Sequence, residues 1–534
     1  MKRRSGLDRR QLLKSGGGIL AATAVGGGLA GAGESVDADG ADSSTVYESL
    51  GVRPLINCKG TFTIITGSLT LPEVKKAMDD ASRHFVHLDE LMEAVGQRLA
   101  KLTGAEWGIV TAGCAAAMTA ATCACIAGAS PEKMQRLPNL AGLKDEVVIP
   151  KWSRNVYDHA IRMIGARILT PTSLEALEAA IGPRTAMVYI LAGPDDTGPF
   201  GLEPIAKIAK AKGVPVLVDA AAENLTPEVH LGRGADLVCY SGGKALRGPQ
   251  CAGVLLGRKD LCQAAWLNSA PHHAFARSLK VGKEEIIGML TAVDMWYRRD
   301  HAAEWKTWEG WLAQIARRVE SINGVTTEVL KPDSLSNRTP QLKIKWNRTR
   351  LGGVEGEDVF QMLLDGRPRI HLYSSGGGRG DKPEENSVTV TAWMMQPGEA
   401  EIVAEQLAKA LSAPASAWMS RRRPHTGAPA AASTQALDVS GRWDAEISFV
   451  RGAETHTIFL EQREGRLRGT HFGETLRGKL EGRVEGDQVD FRSSQPYEGT
   501  ELGFKFSGKA TPESISGTVD LGEYGHASWT AKRA

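Results

Sequence analysis

A lysine closes a short glycine-rich segment, Ser241-Gly242-Gly243-Lys244, near the middle of the chain. An apolar run over residues 214–219 precedes this segment and ends in a single acid, Asp219. An amine in a tight turn can form an imine with an aldehyde, and a carboxylate at a strand end lies where ligands bind in open α/β sheets. The alternative is that Lys244 is an ordinary solvated lysine in a glycine loop, so the other residues must decide.

A second group of residues could bind a phosphate. In residues 110–118, a glycine turn joins a predicted strand to a helix of small residues. Free amides around Gly113, Cys114 and Ala115, at the start of that helix, can cradle an anion. Ser241 could hydrogen-bond the same phosphate. The alternative for this group is a plain strand-to-helix turn.

An aromatic side chain that could stack on a ring follows the strand predicted at Val147. Trp152 is the candidate, and His159 is the alternative, although a histidine on a helix is more often structural. Taken together in their order along the chain, these residues predict a site for pyridoxal 5'-phosphate. Lys244 would be the Schiff-base lysine, and Asp219 would keep the pyridine nitrogen protonated.

The elements that must position these residues alternate between strands and helices. Helices are predicted between several of the strands, as at residues 173–181 and 202–212. This βαβ spacing predicts a large α/β domain over residues 46–285, with a mostly parallel sheet covered by helices. The predicted strands are residues 108–111, 147–150, 186–191, 214–219, 237–241 and 253–256.

A smaller α+β domain, with a connecting helix, is predicted over residues 286–411. A long amphipathic run from residue 283 to residue 322 predicts the helix that joins it to the large domain. Strands are predicted at residues 342–346 and 388–392, and a further helix is predicted at residues 398–411.

The composition changes after this domain. Residues 412–436 are rich in Pro, Ala and Ser, which is typical of a linker, and they include the basic cluster Arg421-Arg422-Arg423. Residues 437–534 contain about eight short alternating runs separated by glycine-containing turns, which predict a small antiparallel barrel or sandwich. No catalytic cluster is evident there, and Trp443 is expected to be a packing residue.

The N-terminus has the pattern of a targeting segment. Arg9-Arg10 precedes a weakly apolar Gly/Ala stretch, and Ala30-Gly31-Ala32 offers a cleavage site of small residues. Residues 1–33 therefore predict a twin-arginine signal peptide, followed by a flexible leader over residues 34–45. The export machinery would be a partner, and the protein would be periplasmic or secreted. The alternative is a basic tail without a targeting role.

Composition limits the remaining classes of function. The 534 residues are enough for two or three domains, and 64 basic against 62 acidic residues leave a formal charge of +2. Without a long basic run in the main body, nucleic acid is not an expected partner. None of the seven cysteines has metal-ligand spacing with histidines, so small buried thiols are expected and no metal is predicted.

Five segments together resemble one family of pyridoxal enzymes: RPLINCKGTFT, TGAEWGIVTAGCAAA, VDAAAE, GADLVCYSGGKALRGPQCAGVLLGRKDL and KVGKEEI. The family is the selenocysteine synthase-like group (L-seryl-tRNA selenium transferase-like), and the resemblance is to its D-glucosaminate-6-phosphate ammonia-lyase branch. It covers about residues 46–411. It implies the fold type I architecture of pyridoxal enzymes, in a homodimer or larger homo-oligomer with sites at subunit interfaces.

The resemblance also implies roles for single residues. Lys244 and Asp219 would keep the roles given above. Arg277 and Lys280 lie where the family has a basic pair that could bind a substrate anion, although exposed loop residues are the plain alternative. Arg369 could reach a substrate carboxylate from the small domain.

The leading hypothesis for the reaction is a lyase of the α,β-elimination or ammonia-lyase type, acting on an amino acid or amino-sugar acid through an external aldimine. An aminotransferase, racemase or aldolase of the same fold is a second hypothesis, and an exported binding protein on an enzyme scaffold is a third. A phosphorylated sugar acid is scarce outside the cytoplasm, so an exported enzyme would act on another amine.

Overall fold

The computed structural model describes residues 45–374, 385–419 and 437–534. The chain divides into two compact units, Met1–Pro54 and Leu55–Ala534. In the described part of the first unit, helix α1 (Val46–Ser49) begins at a capping box formed by Thr45 and Glu48. The twin-arginine segment and residues 420–436 of the predicted linker lie outside the described residues. The first part of that linker is described, and it contains the helix Ala415–Met419, whose Trp418 is buried in the core of the small domain.

Among its described residues, the second unit has three large hydrophobic cores, one for each of three structural domains, and two small apolar clusters. Outside the last fold, its strands are β1 (Ile56–Asn57), β2 (Trp107–Thr111), β3 (Glu146–Val148), β4 (Arg167–Leu169), β5 (Thr185–Leu191), β6 (Val216–Asp219), β7 (Leu237–Ser241), β8 (Gly253–Gly257), β9 (Val325–Leu330), β10 (Gln341–Asn347), β11 (Ile370–His371), β12 (Tyr373–Ser374) and β13 (Glu385–Thr391). Its helices are α2 (Pro72–Ser82), α3 (Leu88–Thr103), α4 (Cys114–Ala127), α5 (Pro131–Arg136), α6 (His159–Arg162), α7 (Leu174–Ala180), α8 (Leu202–Ala211), α9 (Pro227–Gly232), α10 (Lys259–Leu267), α11 (Lys283–Arg298), α12 (His301–Glu320), α13 (Gly356–Asp365), α14 (Glu399–Leu411) and α15 (Ala415–Met419).

The large domain is built on a seven-stranded sheet in the order β2-β8-β7-β6-β5-β3-β4. Strands β3 to β7 run parallel, and β8 runs antiparallel to both β2 and β7. The predicted fold, a mostly parallel sheet covered by helices, is confirmed. Strand β4 is an additional, partly exposed edge strand. Since parallel strands end at the same edge, β6 and β7 bring their last residues, Asp219 and Ser241, close together.

Helix α4 is the central helix of this domain. All but two of its 14 residues are buried, and most are Ala, Thr or Cys. A helix that is apolar on every side is stable only inside a protein, and its small side chains let it pack closely on the sheet. Its start, after Gly113, is therefore fixed at the carboxyl end of β2.

The prediction of one continuous helix over residues 283–322 is wrong. The chain forms α11 and α12, which are separated by Arg299 and Asp300. The Asp300 side chain accepts a hydrogen bond from the Ala303 amide at 2.9 Å and so caps α12. The apolar periodicity continues across the break, which is why the pattern alone indicated a single helix.

The small α+β domain is confirmed. Its antiparallel sheet has the order β12-β13-β10-β9, and α12, α13 and α14 pack with it around one core. The short strand β1 pairs in parallel with β11 and ties the beginning of the second unit to this domain.

The last fold is a closed antiparallel barrel in which each strand pairs with the next, so it is a barrel and not a sandwich. Burial alternates along its strands, and Trp443 and Trp529 are fully buried inside it. No described helix of the protein is long and apolar enough to cross a membrane. The barrel strands are β14 (Gly441–Ser448), β15 (Ala453–Arg463), β16 (Arg466–Phe472), β17 (Arg477–Glu485), β18 (Gln488–Tyr497), β19 (Thr500–Ala510), β20 (Ser514–Asp520) and β21 (His526–Arg533).

Candidate active site

Asp219 is a buried carboxylate at the end of β6, only 2% exposed. Its Oδ1 accepts a hydrogen bond from the Ala221 amide at 3.0 Å, and its Oδ2 accepts one from the Tyr189 hydroxyl at 2.9 Å. Among the described residues, no basic side chain forms an ion pair with it. A buried acid without a cation is costly, so its surroundings fit a ligand that carries a protonated nitrogen.

Tyr189 belongs to the cluster around Asp219, and the sequence did not reveal it. It lies inside the apolar strand β5, where a tyrosine looks like an ordinary core residue. Burial and the Asp219 carboxylate raise the pKa of Tyr189 well above its usual value, so the phenol keeps its proton and donates a hydrogen bond to Asp219. The hydroxyl also accepts a hydrogen bond from Asn155 Nδ2 at 3.1 Å.

Two thiols complete the surroundings of Asp219. Cys114 Sγ lies 3.6 Å from Asp219 Oδ1 and 3.2 Å from Cys239 Sγ. The hydrogen bond to Cys239 and burial raise the pKa of Cys114 well above its usual value. The three side chains are also close enough to one another to share a metal ion. All seven cysteines of the chain are free.

The predicted phosphate turn lies at the same edge of the sheet. Gly113 has a φ of +87°, which favours glycine, and no side chain caps the start of α4. The first amides of the helix, at Cys114 and Ala115, are thus available to an anion. Strand pairing aligns Thr111, Gly253 and Ser241, so Ser241 is brought to this edge as expected.

Lys244 lies in the turn that follows β7. Its carbonyl accepts the Arg247 amide at 3.0 Å, and the Gly243 carbonyl before it accepts the Ser68 amide at 2.9 Å. Its positive charge is near enough to Cys114 to oppose the rise in that thiol's pKa. Within the described ranges, Lys244 has no ion pair. The structure thus brings Lys244, Asp219, Ser241 and the phosphate turn together.

Trp152 lies after β3, two strands from β6 in the sheet, in the turn Lys151–Ser153. Its ring meets Phe200 edge-on, with centroids 6.3 Å apart, and its Nε1 is buried with no hydrogen-bond partner in the described part of the chain. The next residue, Ser153, accepts the Leu191 amide at 2.9 Å, which fixes the turn to the end of β5. Stacking by Trp152 stays a prediction, and His159 is exposed on α6.

The three basic residues proposed for the substrate are not in contact with this cluster. Arg277 is exposed and donates to the Pro271 carbonyl, and Lys280 is exposed as well. Arg369 Nε donates to the Leu364 carbonyl at 3.1 Å in the small domain. Their role in binding substrate stays a prediction.

A cavity of about 300 Å³ that sequence reasoning missed lies beside the residue after Lys244. Ala245, Arg299 and Trp393 are among the residues that line it. Arg299 is nine-tenths buried; its Nη2 donates to the Ala245 carbonyl at 3.2 Å, and its Nε lies 3.3 Å from Glu304 Oε1. No described acceptor lies within reach of its Nη1, so the cavity offers a free cationic donor.

Comparisons with known proteins identify relatives of this chain. Residues 87–275 match the family described as aminotransferase class-V. D-glucosaminate-6-phosphate ammonia lyase of Salmonella typhimurium is 29% identical over 337 residues, which cover 61% of this chain and 88% of that relative. An L-seryl-tRNA(Sec) selenium transferase of Moorella thermoacetica is 26% identical, covering 66% of this chain and 73% of its own. The resemblance to both groups is confirmed.

In two further comparisons, the match covers most of the length of the other protein. The solved structure of a D-glucosaminate-6-phosphate ammonia-lyase matches with a TM-score of 0.61 at 26% identity, over 69% of this chain and 98% of the other. A 5'-C-glycyluridine monooxygenase-decarboxylase of Streptomyces sp is 33% identical over 344 residues, which are 61% of this chain and 83% of that relative. The chain therefore belongs to the aminotransferase class-V family, and it is a pyridoxal-phosphate-dependent enzyme.

Proposed function

We propose that this enzyme is a lyase that removes ammonia from a small amine bearing an acidic group, an amino acid or an amino-sugar acid. The observation that carries the proposal is the buried carboxylate of Asp219, which has no cationic partner among the described residues. It lies 3.6 Å from Cys114, which begins an uncapped helix and is within the influence of the Lys244 charge. The likeness to an ammonia lyase supports the reaction type.

The residues present fit pyridoxal phosphate. Lys244 would hold it covalently, Asp219 would face its ring nitrogen, and the amides of Cys114 and Ala115 with Ser241 would bind its phosphate. When bound, the cofactor supplies an electron sink for the bond that breaks at the amine-bearing carbon. Lys244 Nζ would be the base that takes the proton from that carbon.

The cavity at Arg299 supports a substrate with an acidic group. Burial lowers the pKa of Arg299 and the charge of Arg247 adds to this effect, whereas the carboxylates of Glu304 and Glu73 oppose it. A carboxylate or phosphate of the substrate would supply the acceptor that Nη1 lacks. With Arg299→Gln, we expect KM for acidic amines to rise while cofactor affinity is unchanged.

The central test replaces Lys244. In Lys244→Ala, we expect the visible absorbance of the bound cofactor and all turnover to disappear. Lys207→Ala, which removes an exposed lysine from α8, should behave like the unchanged enzyme. A Lys244→Ala protein that keeps both the absorbance and the activity would refute the assignment of Lys244.

The reaction type is tested by its products. Ammonia released from amino acids or amino-sugar acids without a keto-acid acceptor identifies the lyase, whereas transfer to an acceptor identifies an aminotransferase. Racemisation would identify a racemase of this fold, and aldol cleavage would identify an aldolase. A second candidate is an oxygen-dependent decarboxylase, which the 33% identity to the Streptomyces protein favours. Oxygen consumption with release of carbon dioxide would identify it.

We also propose that the protein is exported by the twin-arginine machinery, on the pattern at Arg9-Arg10. Replacing Arg9 and Arg10 by lysine should retain the protein inside the cell. The same change at Arg3 and Arg4 is the matched control and should leave export intact.

We propose a homodimer or larger homo-oligomer, since enzymes of this family act on small amines as oligomers. Light scattering of the full chain measures this directly, and a monomer that turns over its substrate would contradict it.

A further inference from the structure

A hairpin of the barrel meets the large domain next to the cofactor site. Strands β18 and β19 are joined by Glu498 and Gly499, and Glu498 has a left-handed φ of +50°. Glu498 Oε2 accepts a hydrogen bond from Arg154 Nη2 at 2.6 Å. Arg154 follows the turn that holds Trp152 and Ser153. The barrel therefore contacts the segment on which the predicted stacking residue lies.

The ion pair belongs to a larger group of charges. Arg154 Nε donates to Asp158 Oδ2 at 2.5 Å, and Asp158, fully buried, also accepts from Arg162 Nε at 3.0 Å. The Arg162 guanidinium lies 5.8 Å from the ring centre of Tyr497 on the hairpin. Since Arg154 is only 13% exposed, this pair is better shielded from water than an ordinary surface ion pair.

Gly499 makes the contact close. A Cβ atom at this position would lie 2.4 Å from the Asn155 carbonyl oxygen and 2.7 Å from its nitrogen. No other residue could occupy the position without moving the hairpin or Asn155. The hairpin therefore packs directly against the backbone of Asn155, whose side chain hydrogen-bonds to Tyr189 in the candidate active site.

Asn155 connects the hairpin to Asp219 through hydrogen bonds. Its Nδ2 donates to the Ser153 carbonyl at 2.9 Å and to the Tyr189 hydroxyl at 3.1 Å, and Tyr189 donates to Asp219 Oδ2 at 2.9 Å. A continuous line of contacts therefore runs from the barrel to the carboxylate.

We propose that the barrel hairpin Tyr497–Thr500 is a positioning element of the cofactor site: Glu498 and Gly499 fix Asn155, and through it Tyr189 and Asp219. The inference rests on the proposed role of Asp219 opposite the ring nitrogen. It gives the barrel a function in the enzyme's own chemistry beyond that of an appended domain. Glu498 and Gly499 act through other residues and do not touch the reacting atoms.

The test uses the full chain and two cofactor probes, pyridoxal phosphate and an analogue with carbon in place of the ring nitrogen. In Glu498→Gln, we expect the Kd for pyridoxal phosphate to rise about threefold to tenfold, as the loss of one partly buried charged contact implies. The Kd of the analogue should change much less, because it makes no bond with Asp219. Glu498→Asp should restore part of the loss.

Two controls separate positioning from general damage. Glu481→Gln removes an ion pair of the same length with Arg492 elsewhere on the barrel and should leave both Kd values unchanged. Gly499→Val should raise the Kd for pyridoxal phosphate more than Glu498→Gln does. Gly503→Val, on β19 where an added Cβ meets open space, should leave that Kd unchanged.

Two results would overturn the inference. One is an unchanged Kd in Glu498→Gln, even if the protein melts earlier, and the other is an equal rise in Kd for both probes. If the unaltered enzyme bound the two probes equally, the role of Asp219 itself would fail. That outcome is distinct from failure of the hairpin.

Discussion

Two clusters of buried polar side chains invite comparison, one in the large domain and one in the barrel. Around Asp219, the hydrogen-bond donors are the Tyr189 hydroxyl and the Ala221 amide, both neutral, and Cys114 lies beside them. The described residues supply no cation that pairs with the acid. Lys244, in the turn after β7, is likewise without an ion pair in the described part of the chain.

The barrel cluster is closed on itself. His456 Nδ1 lies 2.7 Å from His471 Nε2, and His471 Nδ1 lies 3.0 Å from Ser493 Oγ and 3.2 Å from Gln495 Nε2. His456 Nε2 also lies 3.2 Å from Glu454 Oε2. Every ring nitrogen of the two histidines therefore has a partner.

The difference separates a binding site from a packed interior. Buried polar groups that satisfy one another stabilise a single arrangement of the core. A buried carboxylate that accepts hydrogen bonds only from neutral donors has no positive charge to balance it. A cationic ligand can supply that charge. The same contrast holds between the free Nη1 in the Arg299 cavity and the fully paired Asp158 beneath the hairpin.

The largest effect is expected when the charge of Asp219 is removed. In Asp219→Asn, turnover should fall by about a hundredfold to a thousandfold, as when a group that stabilises charge in a transition state is lost. The cofactor-free protein should be as stable as before, or more stable, because an unpaired buried charge is gone. Steady-state kinetics and thermal unfolding without cofactor measure the two effects.

Asp196→Asn is the matched control, because Asp196 is buried in the same domain but paired with Arg233 at 2.8 Å. It should lower the free energy of unfolding and leave turnover unchanged. If both substitutions lowered the free energy of unfolding equally, the proposed contrast between the unpaired carboxylate of Asp219 and the paired carboxylate of Asp196 would be wrong.

The sequence predicted those site residues whose patterns lie within a short stretch of chain, and it missed those that distant segments bring together. Lys244 and the Gly113 turn were identified because each signal lies within a few residues, and Asp219 because it ends an apolar strand. Tyr189 and Cys239 were not, because their approach to Asp219 depends on the pairing of β5, β6 and β7. Strand pairing between distant segments leaves no local pattern.

The same distinction applies to the fold. Alternating runs predicted eight barrel strands, but nothing in the run that contains Glu498 and Gly499 distinguishes this turn from the other turns of the barrel. Its contact with Asn155 joins residues more than 300 positions apart. The break at Asp300 was missed although aspartate favours helix starts, because the apolar periodicity runs across it.

An effect of intermediate size is expected in the barrel cluster, where the stability of the barrel should depend on pH. Burial, together with the neighbouring His456, lowers the pKa of His471 to about 3. The unfolded chain takes up this proton first, near its ordinary pKa of about 6.5. The neutral His471 therefore makes its full contribution to the free energy of unfolding above about pH 6.5. That free energy then falls by up to about 1.4 kcal/mol per pH unit as the pH drops towards 3.

Calorimetry of the full chain between about pH 4 and about pH 8 checks this slope. His471→Gln should flatten the pH dependence of the barrel transition, whereas His526→Gln, at an exposed histidine, should not. Equal slopes for the unaltered protein and His471→Gln would contradict a histidine held neutral by the barrel interior.

The smallest effect is expected from Tyr189→Phe, which removes one hydrogen bond to Asp219 and keeps its charge. The Kd for pyridoxal phosphate should rise about tenfold, the range for a hydrogen bond to a charged group. Tyr240→Phe, at a buried tyrosine on β7, is the control and should leave the Kd unchanged. The double variant Tyr189→Phe/Glu498→Gln sharpens the result, because the hairpin acts through this hydroxyl. It should bind the cofactor no more weakly than Tyr189→Phe alone, and additive losses would mean that the barrel reaches the site by another route.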